Sequence, residues 1–420
     1  MDLVKNTSIA TMFDKFLESI LKPPSLRGLN ELGLLSNPSQ AFLDIFAPRS
    51  KAGVPVNANS VIGLPAVWTA VKFISETFAS LPIGVFEQLE RGKKSLKDHP
   101  VYTLLKFRPN PMQTSYEWRQ LSMVHLLLWG DAISLIIFDN VTGRPIELLP
   151  FHPADVAVTK INGRLWYRFV MEDGSSQVVD QSNVLHIKGF GFDGIRGKSV
   201  IRVFRESFGT SLAQEEFSAN FYRKGAKLDG VIEKDAKMGD GALVTLRESW
   251  RQTYGNADGE RVAILDDGFK YKAIGVPPND SQFIETSKFK ITEVARIFRV
   301  PPPLLYDLER ATFSNIEQLI LTYVKFSLVP LTTNWESQQD KSLLREDEIG
   351  KIFTKYNLNG LLRGDEKSRR EFYAKLFQIG GLNSNEIREK EDMNPYDGGD
   401  DYFVMGNMVK ISELSKPKSE

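Results

Sequence analysis

Residues 281–344 read SQFIETSKFKITEVARIFRVPPPLLYDLERATFSNIEQLILTYVKFSLVPLTTNWESQQDKSLL, and this stretch decides how the chain is organised. Ile284, Ser287, Ile291, Val294, Ala295 and Phe298 recur at three-and-four spacing, which predicts a helix with one largely apolar face. Pro301, Pro302 and Pro303 stop it, because proline lacks an amide donor and drives its predecessor out of the α region. After a loop over 304–313, Ser314 and Glu317 stand at capping-box spacing and predict a restart. The second helix carries Ile316, Leu319, Ile320, Tyr323 and Phe326, meets Pro330, where a kink is expected, and continues through Trp335 to about Leu344. At 1.5 Å per residue it is roughly 45 Å long, more than one small domain needs. Periodicity alone makes the pair a helical hairpin packed inside a monomer.

Working outward, Ile9, Met12, Phe13, Phe16, Leu17, Ile20 and Leu21 mark a short amphipathic helix. Its polar face is not basic, which favours a partner or core contact over a membrane surface. An extended arm rich in Pro, Gly, Asn and Ser is expected from Pro23 to about Ser60. Val67, Ala70, Val71, Ile74 and Phe78 predict a helix closed by Leu81-Pro82, and Thr114 with Glu117 caps another that ends at Gly130. Strands are expected over 83–89, 131–139, 146–149, 155–159, 164–171, 177–179 and 184–188, with turns at Thr142-Gly143, Asn162-Gly163 and Asp173-Gly174. Such spacing predicts an antiparallel meander beside helices, an α+β unit. One helix is expected over 198–226, and another through Leu243, Leu246, Trp250 and Tyr254 that stops at Gly255-Asn256. A strand near 351–357, a polar helix over 365–377 and a helix started by Asn383 and Glu386 follow.

The 420 residues allow two or three structural units, and 42% hydrophobic with 25% charged residues describes a globular chain. Lys plus Arg and Asp plus Glu are both 53. A tight, sequence-independent binder of nucleic acid carries a basic excess, so this chain is not built to hold DNA firmly; a surface past which DNA slides is a different matter. The absence of cysteine removes disulfides, thiolate metal sites and thiol nucleophiles. Neither a membrane span nor a signal peptide is read.

Chemistry-bearing motifs are few. Gly189-Phe190-Gly191-Phe192-Asp193-Gly194 fits the dinucleotide G-x-G-x-x-G pattern, but an antiparallel setting favours a tight turn. Gly197-Lys198-Ser199 ends like a phosphate loop, yet position 192 is Phe where that pattern needs Gly. His99, His125, His152 and His186 lie too far apart in sequence for a zinc motif. Asp397, Asp400 and Asp401 read as a solvated loop, and Glu346, Asp347 and Glu348 as a polar linker. No catalytic residue, cofactor or metal is expected.

Short words in a fixed order carry a resemblance. They are Ala79-Ser80-Leu81-Pro82, His99-Pro100, Pro109-Asn110-Pro111 with Gln113-Thr114, Gly130-Asp131-Ala132, Leu148-Leu149-Pro150, Phe298-Arg299-Val300-Pro301-Pro302, Glu309 through Gln318, and Gly380 through Arg388. Together they resemble the portal proteins of tailed double-stranded DNA bacteriophages, in the lambdoid-type siphophage form, over roughly 60–395. Position 131 departs, with Asp where many members have Asn.

That resemblance implies an N-terminal arm (1–60), an α/β wing (61–238), a stem helix (239–255), a small β clip (256–280) and a second stem helix (281–300). A tunnel loop (301–313), a long kinked helix returning to the wing (314–378) and a helical crown with tail (379–420) complete it. It also implies a ring of about twelve subunits at one capsid vertex of a virion, assembled in the host cytoplasm, heterologous contacts closing the ring. Double-stranded DNA would pass through, driven by a separate terminase large subunit, with the major capsid protein and a head-tail adaptor as neighbours. By matching the loop, Tyr306, Asp307, Glu309, Arg310 and Thr312 are expected at the tunnel constriction, and Lys288 and Arg296 on the channel side of the stem. Ordinary solvated or intersubunit pairs account for each of these charges as well. Two other readings stand beside this one: a helical adaptor or scaffold without a channel, and a nucleotide-binding enzyme built on Gly189–Gly194.

Overall fold

The computed structural model describes residues 49–171, 174–223, 230–233, 270–273, 280–308, 313–362, 366–391 and 393–403, together with 241, 244 and 248. The N-terminal amphipathic helix, most of the expected stem helix and clip, and the C-terminal tail lie outside them. The arm expected to run to Ser60 ends sooner: Arg49 pairs with Pro55, and Val56 and Val61 are buried in the main core.

In chain order the elements begin with α1 (Ala58–Ile62), capped reciprocally by Asn57 and Ser60, and α2 (Pro65–Ser80), which has proline in its first turn. Then come β1 (Ile83–Gln88), β2 (Lys93–Ser95), α3 (Pro100–Lys106) and α4 (Ser115–Trp129). The Thr114/Glu117 box opens α4, and Gly130 closes it at φ 85°. Six strands follow: β3 (Asp131–Phe138), β4 (Pro145–Phe151), β5 (Val156–Ile161), β6 (Arg164–Val170), β7 (Ser176–Asp180) and β8 (Val184–Lys188). Next are α5 (Val200–Val203), α6 (Arg205–Arg223), β9 (Gly230–Glu233), β10 (Lys270–Ala273), α7 (Asp280–Phe298), α8 (Phe313–Tyr323) and α9 (Val329–Leu343). The chain closes with β11 (Ile352–Tyr356), α10 (Asn359–Leu362), α11 (Glu366–Gln378) and α12 (Ser384–Lys390), the last opened by the expected Asn383/Glu386 box.

The single meander expected from the sequence is instead two three-stranded sheets, ordered β4-β3-β8 and β5-β6-β7. β8 returns antiparallel to β3, with Asp131 opposite Lys188 and Ile133 opposite His186. The reason lies in β3 itself, DAISLIIF, whose first six residues are all buried. Ala132 and Ile136 face the main core, whereas Ile133 and Leu135 face a second core shared with Val156, Tyr167 and Phe169. A strand apolar on both faces belongs inside a layered packing rather than on a meander's wet surface.

Around the main core, α2, α7 and α9 pack with α4 and the β11-β1-β2 sheet. Trp335 on α9 is wholly buried, its ring 4.6 Å from Phe78 and 5.8 Å from Trp118 between centroids. Residues 313–343 form one continuous helix, but the irregularity lies before Pro330. Val324–Leu328 widens into a π turn in which the Val329 amide reaches the Val324 carbonyl. Proline supplies no amide at 330, and the wider turn lets the helix pass it without ending. The helix expected over 198–226 is likewise divided, at Phe204, where φ is −100° and ψ 26°.

Candidate functional site

α7, the proline loop and α8 position the residues expected to act. Lys288, Thr292 and Arg296 follow one another at four-residue steps and therefore share a face of α7, with Lys288 and Arg296 exposed. Arg299 continues that face and was not singled out by sequence. It sits beyond the last turn at φ 57°, a left-handed conformation unusual for a side chain with a Cβ. Ser327 Oγ donates to the Arg299 carbonyl at 2.6 Å, and the Val300 amide returns to Ala295 at 2.9 Å. These bonds pin the end of α7 to the π turn. Arg296 and Arg299 stand together at a cleft of about 340 Å³ between α7 and the long helix, while Lys288 lies two turns up α7.

The loop leaves this cleft as a 3₁₀ turn over Pro302–Leu305. Leu305 is buried and roots it in the main core. Tyr306 then turns left-handed at φ 65° and is 84% exposed; Leu308 is 57% exposed, and Asp307 between them is half-buried. A rooted base with an outward tip suits a loop that contacts something outside the subunit. Glu309, Arg310 and Thr312 lie outside the described residues.

Two clusters were missed by the sequence reading. Asp131, His186, Tyr167 and Arg196 meet between the two sheets. Asp131 Oδ1 accepts from His186 Nε2 at 2.9 Å and from the Gly197 amide at 2.7 Å, while Oδ2 accepts from Arg196 Nε at 2.8 Å. The Tyr167 hydroxyl donates to His186 Nδ1 at 3.0 Å, and Arg196 reaches the Val156 and Pro153 carbonyls. Burial pushes the Asp131 carboxyl up, but the bonds from His186, Gly197 and Arg196 together hold it below the usual carboxylate range. Burial outweighs Asp131 at His186 and holds that imidazole below its ordinary value. A carboxylate and a neutral imidazole satisfy every bond in the chain. In the second cluster Glu348, read as part of a linker, is buried and accepts from Arg144, from His99 at 3.3 Å and from the Arg345 amide at 3.0 Å. It ties the end of the long helix to the β3-β4 hairpin and the start of α3. Glu346 and Asp347 remain exposed.

The glycine-rich turn is built for backbone packing. A Cβ on Gly197 would lie 1.8 Å from the Gly130 carbonyl oxygen, and the Gly189 amide donates to that same oxygen at 2.8 Å. β8, which precedes the turn, runs antiparallel to β3, so the parallel βαβ setting of a dinucleotide site is absent here. Asp400 accepts from Asn385 Nδ2 at 3.0 Å and shapes the C-terminal turn. Among the described residues no His, Asp or Glu cluster is placed to hold a metal ion, and no helix is long and apolar enough to cross a membrane.

The family profile described as phage portal protein matches residues 65–392, spanning both cores, the cleft and the rooted loop. The chain belongs to the phage portal protein family. The portal protein of Enterobacteria phage HK97 is 32% identical over 368 residues, 86% of this chain and 86% of that one. The probable portal protein of Streptomyces phage phiC31 is 28% identical over 379 residues, 87% of this chain and 83% of its own. Among solved structures, an HK97 family phage portal protein from Corynebacterium diphtheriae shares the fold at a TM-score of 0.56 and 17% identity, over 73% of this chain and 97% of that one. A chain from the neck of an empty GTA particle computed with C6 symmetry aligns at 0.55 and 23% identity, over 80% of this chain and 91% of its own. What the described residues offer is a charged face of α7 that carries Glu285, Lys288 and Arg296, an exposed loop tip and rigid joints.

Proposed function

We propose that this portal protein forms a closed ring of about twelve subunits at one capsid vertex, each subunit contacting the next through two different surfaces. The ring is the channel through which a separate terminase large subunit packages double-stranded DNA, and through which the DNA later leaves. It is also the platform on which the head-tail adaptor docks, with the major capsid protein around it and assembly in the host cytoplasm. The wing is 61–238, the stem 239–255 and 281–300, the clip 256–280, the tunnel loop 301–313, the long helix and its return 314–378, and the crown 379–420. Lys288 and Arg296 face the channel from the stem; Tyr306, Asp307, Glu309, Arg310 and Thr312 line its constriction.

The similarity to the HK97 portal protein over 86% of both chains carries this reading. A formal charge of zero fits it, because a channel that bound phosphate tightly would stall the DNA it passes. Electron micrographs of purified particles test it. Annular particles with a central hole are expected, and separate compact particles would refute the ring. That second result is the one a channel-free helical adaptor gives.

A further inference from the structure

The glycine-rich turn presents a feature that backbone packing leaves unused. Phe190 and Phe192 are 79% and 80% exposed, with ring centroids 5.3 Å apart in an edge-to-face pair. They do not sit on a loose tip. Besides the Gly189 bond to Gly130, the Lys198 amide donates to the Phe190 carbonyl at 2.7 Å, and Lys188 Nζ to the Gly194 carbonyl at 2.7 Å. The Asp193 carboxylate accepts the Ile195 and Arg196 amides at 2.8 and 3.1 Å. The fold thus holds two phenyl rings out in water, at a standing cost that burial against a partner removes.

The cleft beside α7 has the complementary character. Ala295, Val300, Pro301, Pro302, Tyr323 and Phe326 make most of its wall, and Arg296 and Arg299 flank it. Benzene fills an apolar protein cavity of about 150 Å³. Two phenyl rings therefore need about 300 Å³, close to the 340 Å³ of the cleft. Guanidinium groups are also favourable neighbours for aromatic faces. Lys198 Nζ lies 5.6 Å over the Phe192 ring and offsets exposed Asp193, so the match between knob and cleft is one of apolar character and volume. The pinned turn keeps both rings exposed on their own subunit, so they do not fill their own cleft.

We propose that Phe190 and Phe192 of one subunit enter the cleft between α7 and the long helix of the adjacent subunit, making a knob-and-socket contact of the ring. This rests on the ring reading above. A closed ring of identical chains needs two unlike, complementary surfaces on each, and the aromatic knob and the apolar socket are such a pair.

The natural chain has no cysteine, so engineered pairs report cleanly. Lys198→Cys combined with Thr322→Cys leaves both rings in place and puts one thiol beside the knob and another at the exposed rim of the socket. Mild oxidation is expected to give a ladder of dimers, trimers and higher species on a non-reducing gel, whereas each single variant stops at dimers. A monomer band of altered mobility alone would mean that the two surfaces meet within one chain and would overturn the proposal. No ladder, with annular particles still seen in micrographs, would overturn the contact and leave the ring standing; no ladder and no rings would remove both. In parallel, Phe190→Ser with Phe192→Ser is expected to lower the ring fraction at fixed concentration roughly tenfold or more, with an unchanged melting temperature because both side chains are exposed. Undiminished rings in that variant, or intact rings that fail only to enter capsids, would assign the knob to another partner and end the proposal.

Discussion

Asp131 is one residue on which two sheets and a turn converge. Its carboxylate takes donors from β8, from the Gly197 backbone and from Arg196, which in turn holds the carbonyls of Pro153 and Val156 at the start of β5. Asp131→Asn leaves one oxygen where two are used, so a buried donor loses its acceptor. A destabilisation of about 1–3 kcal/mol is expected, read as a lower denaturation midpoint in urea. The histidines make stability depend on pH. Burial, with His152 beside it, lowers the His125 imidazole from 6.5 to about 4. The unfolded chain therefore binds the proton more readily than the folded one, and stability is full above 6.5 and lost as pH falls through the window down to about 4. His186, also lowered, adds loss over the same fall in pH, whereas Asp131, lowered from 3.8, adds its loss only below that window. Melting temperature is expected to drop across that window, and His125→Gln to flatten the slope; an unchanged slope would remove His125 from the account.

At the scale of elements, the turn after β8 and the long helix show what backbone geometry demands. Gly197→Ala forces a methyl group into the Gly130 carbonyl and is expected to cost more than about 3 kcal/mol. Gly194→Ala has nothing within 4 Å and strains only its φ of +68°, so about 1 kcal/mol is expected there. Thermal unfolding of the two variants separates close packing from mere turn chemistry, and equal losses would contradict the packing argument. On α9, Trp335→Ala empties the space between Phe78 and Trp118 and is expected to cost about 3–5 kcal/mol. Trp335→Phe keeps most of the contact, and a much smaller drop in melting temperature checks that reading. The capping boxes before α4 and α12 were legible because each is a four-residue pattern. The π turn was not, because proline announces only that a local accommodation is required, and packing of Val324, Ser327 and Leu328 against the core chooses its place.

For the whole molecule, the rooted loop supplies the expected functional outcome. Deleting 304–312 is expected to leave ring assembly intact and to reduce packaged DNA, measured as full against empty capsids. Normal filling would count against the loop's role. Leu305, which anchors the loop, is lost in that deletion, so Tyr306→Gly with Leu308→Gly is the milder companion. A fall in packaging there, with rings and melting temperature preserved, assigns the effect to the exposed tip.

The amino-acid order by itself determined α2, α4 and α7, the capping boxes of α4 and α12, strands β1 and β3–β8 and the family, because each is written in patterns of a few neighbouring residues or in short words repeated in order; the Ser314/Glu317 spacing misplaced a helix start, since α8 already begins at Phe313. The helix–proline loop–long helix motif was readable for that reason. Tertiary structure alone decided that β8 pairs with β3 rather than continuing a meander, that Glu348 is a buried joint, and that Asp131 meets His186 from 55 positions away. It also placed Arg299 beside Arg296 at the cleft. Those outcomes depend on which apolar faces are buried together, and burial is a property of the assembled layers, to which residues distant in sequence contribute equally.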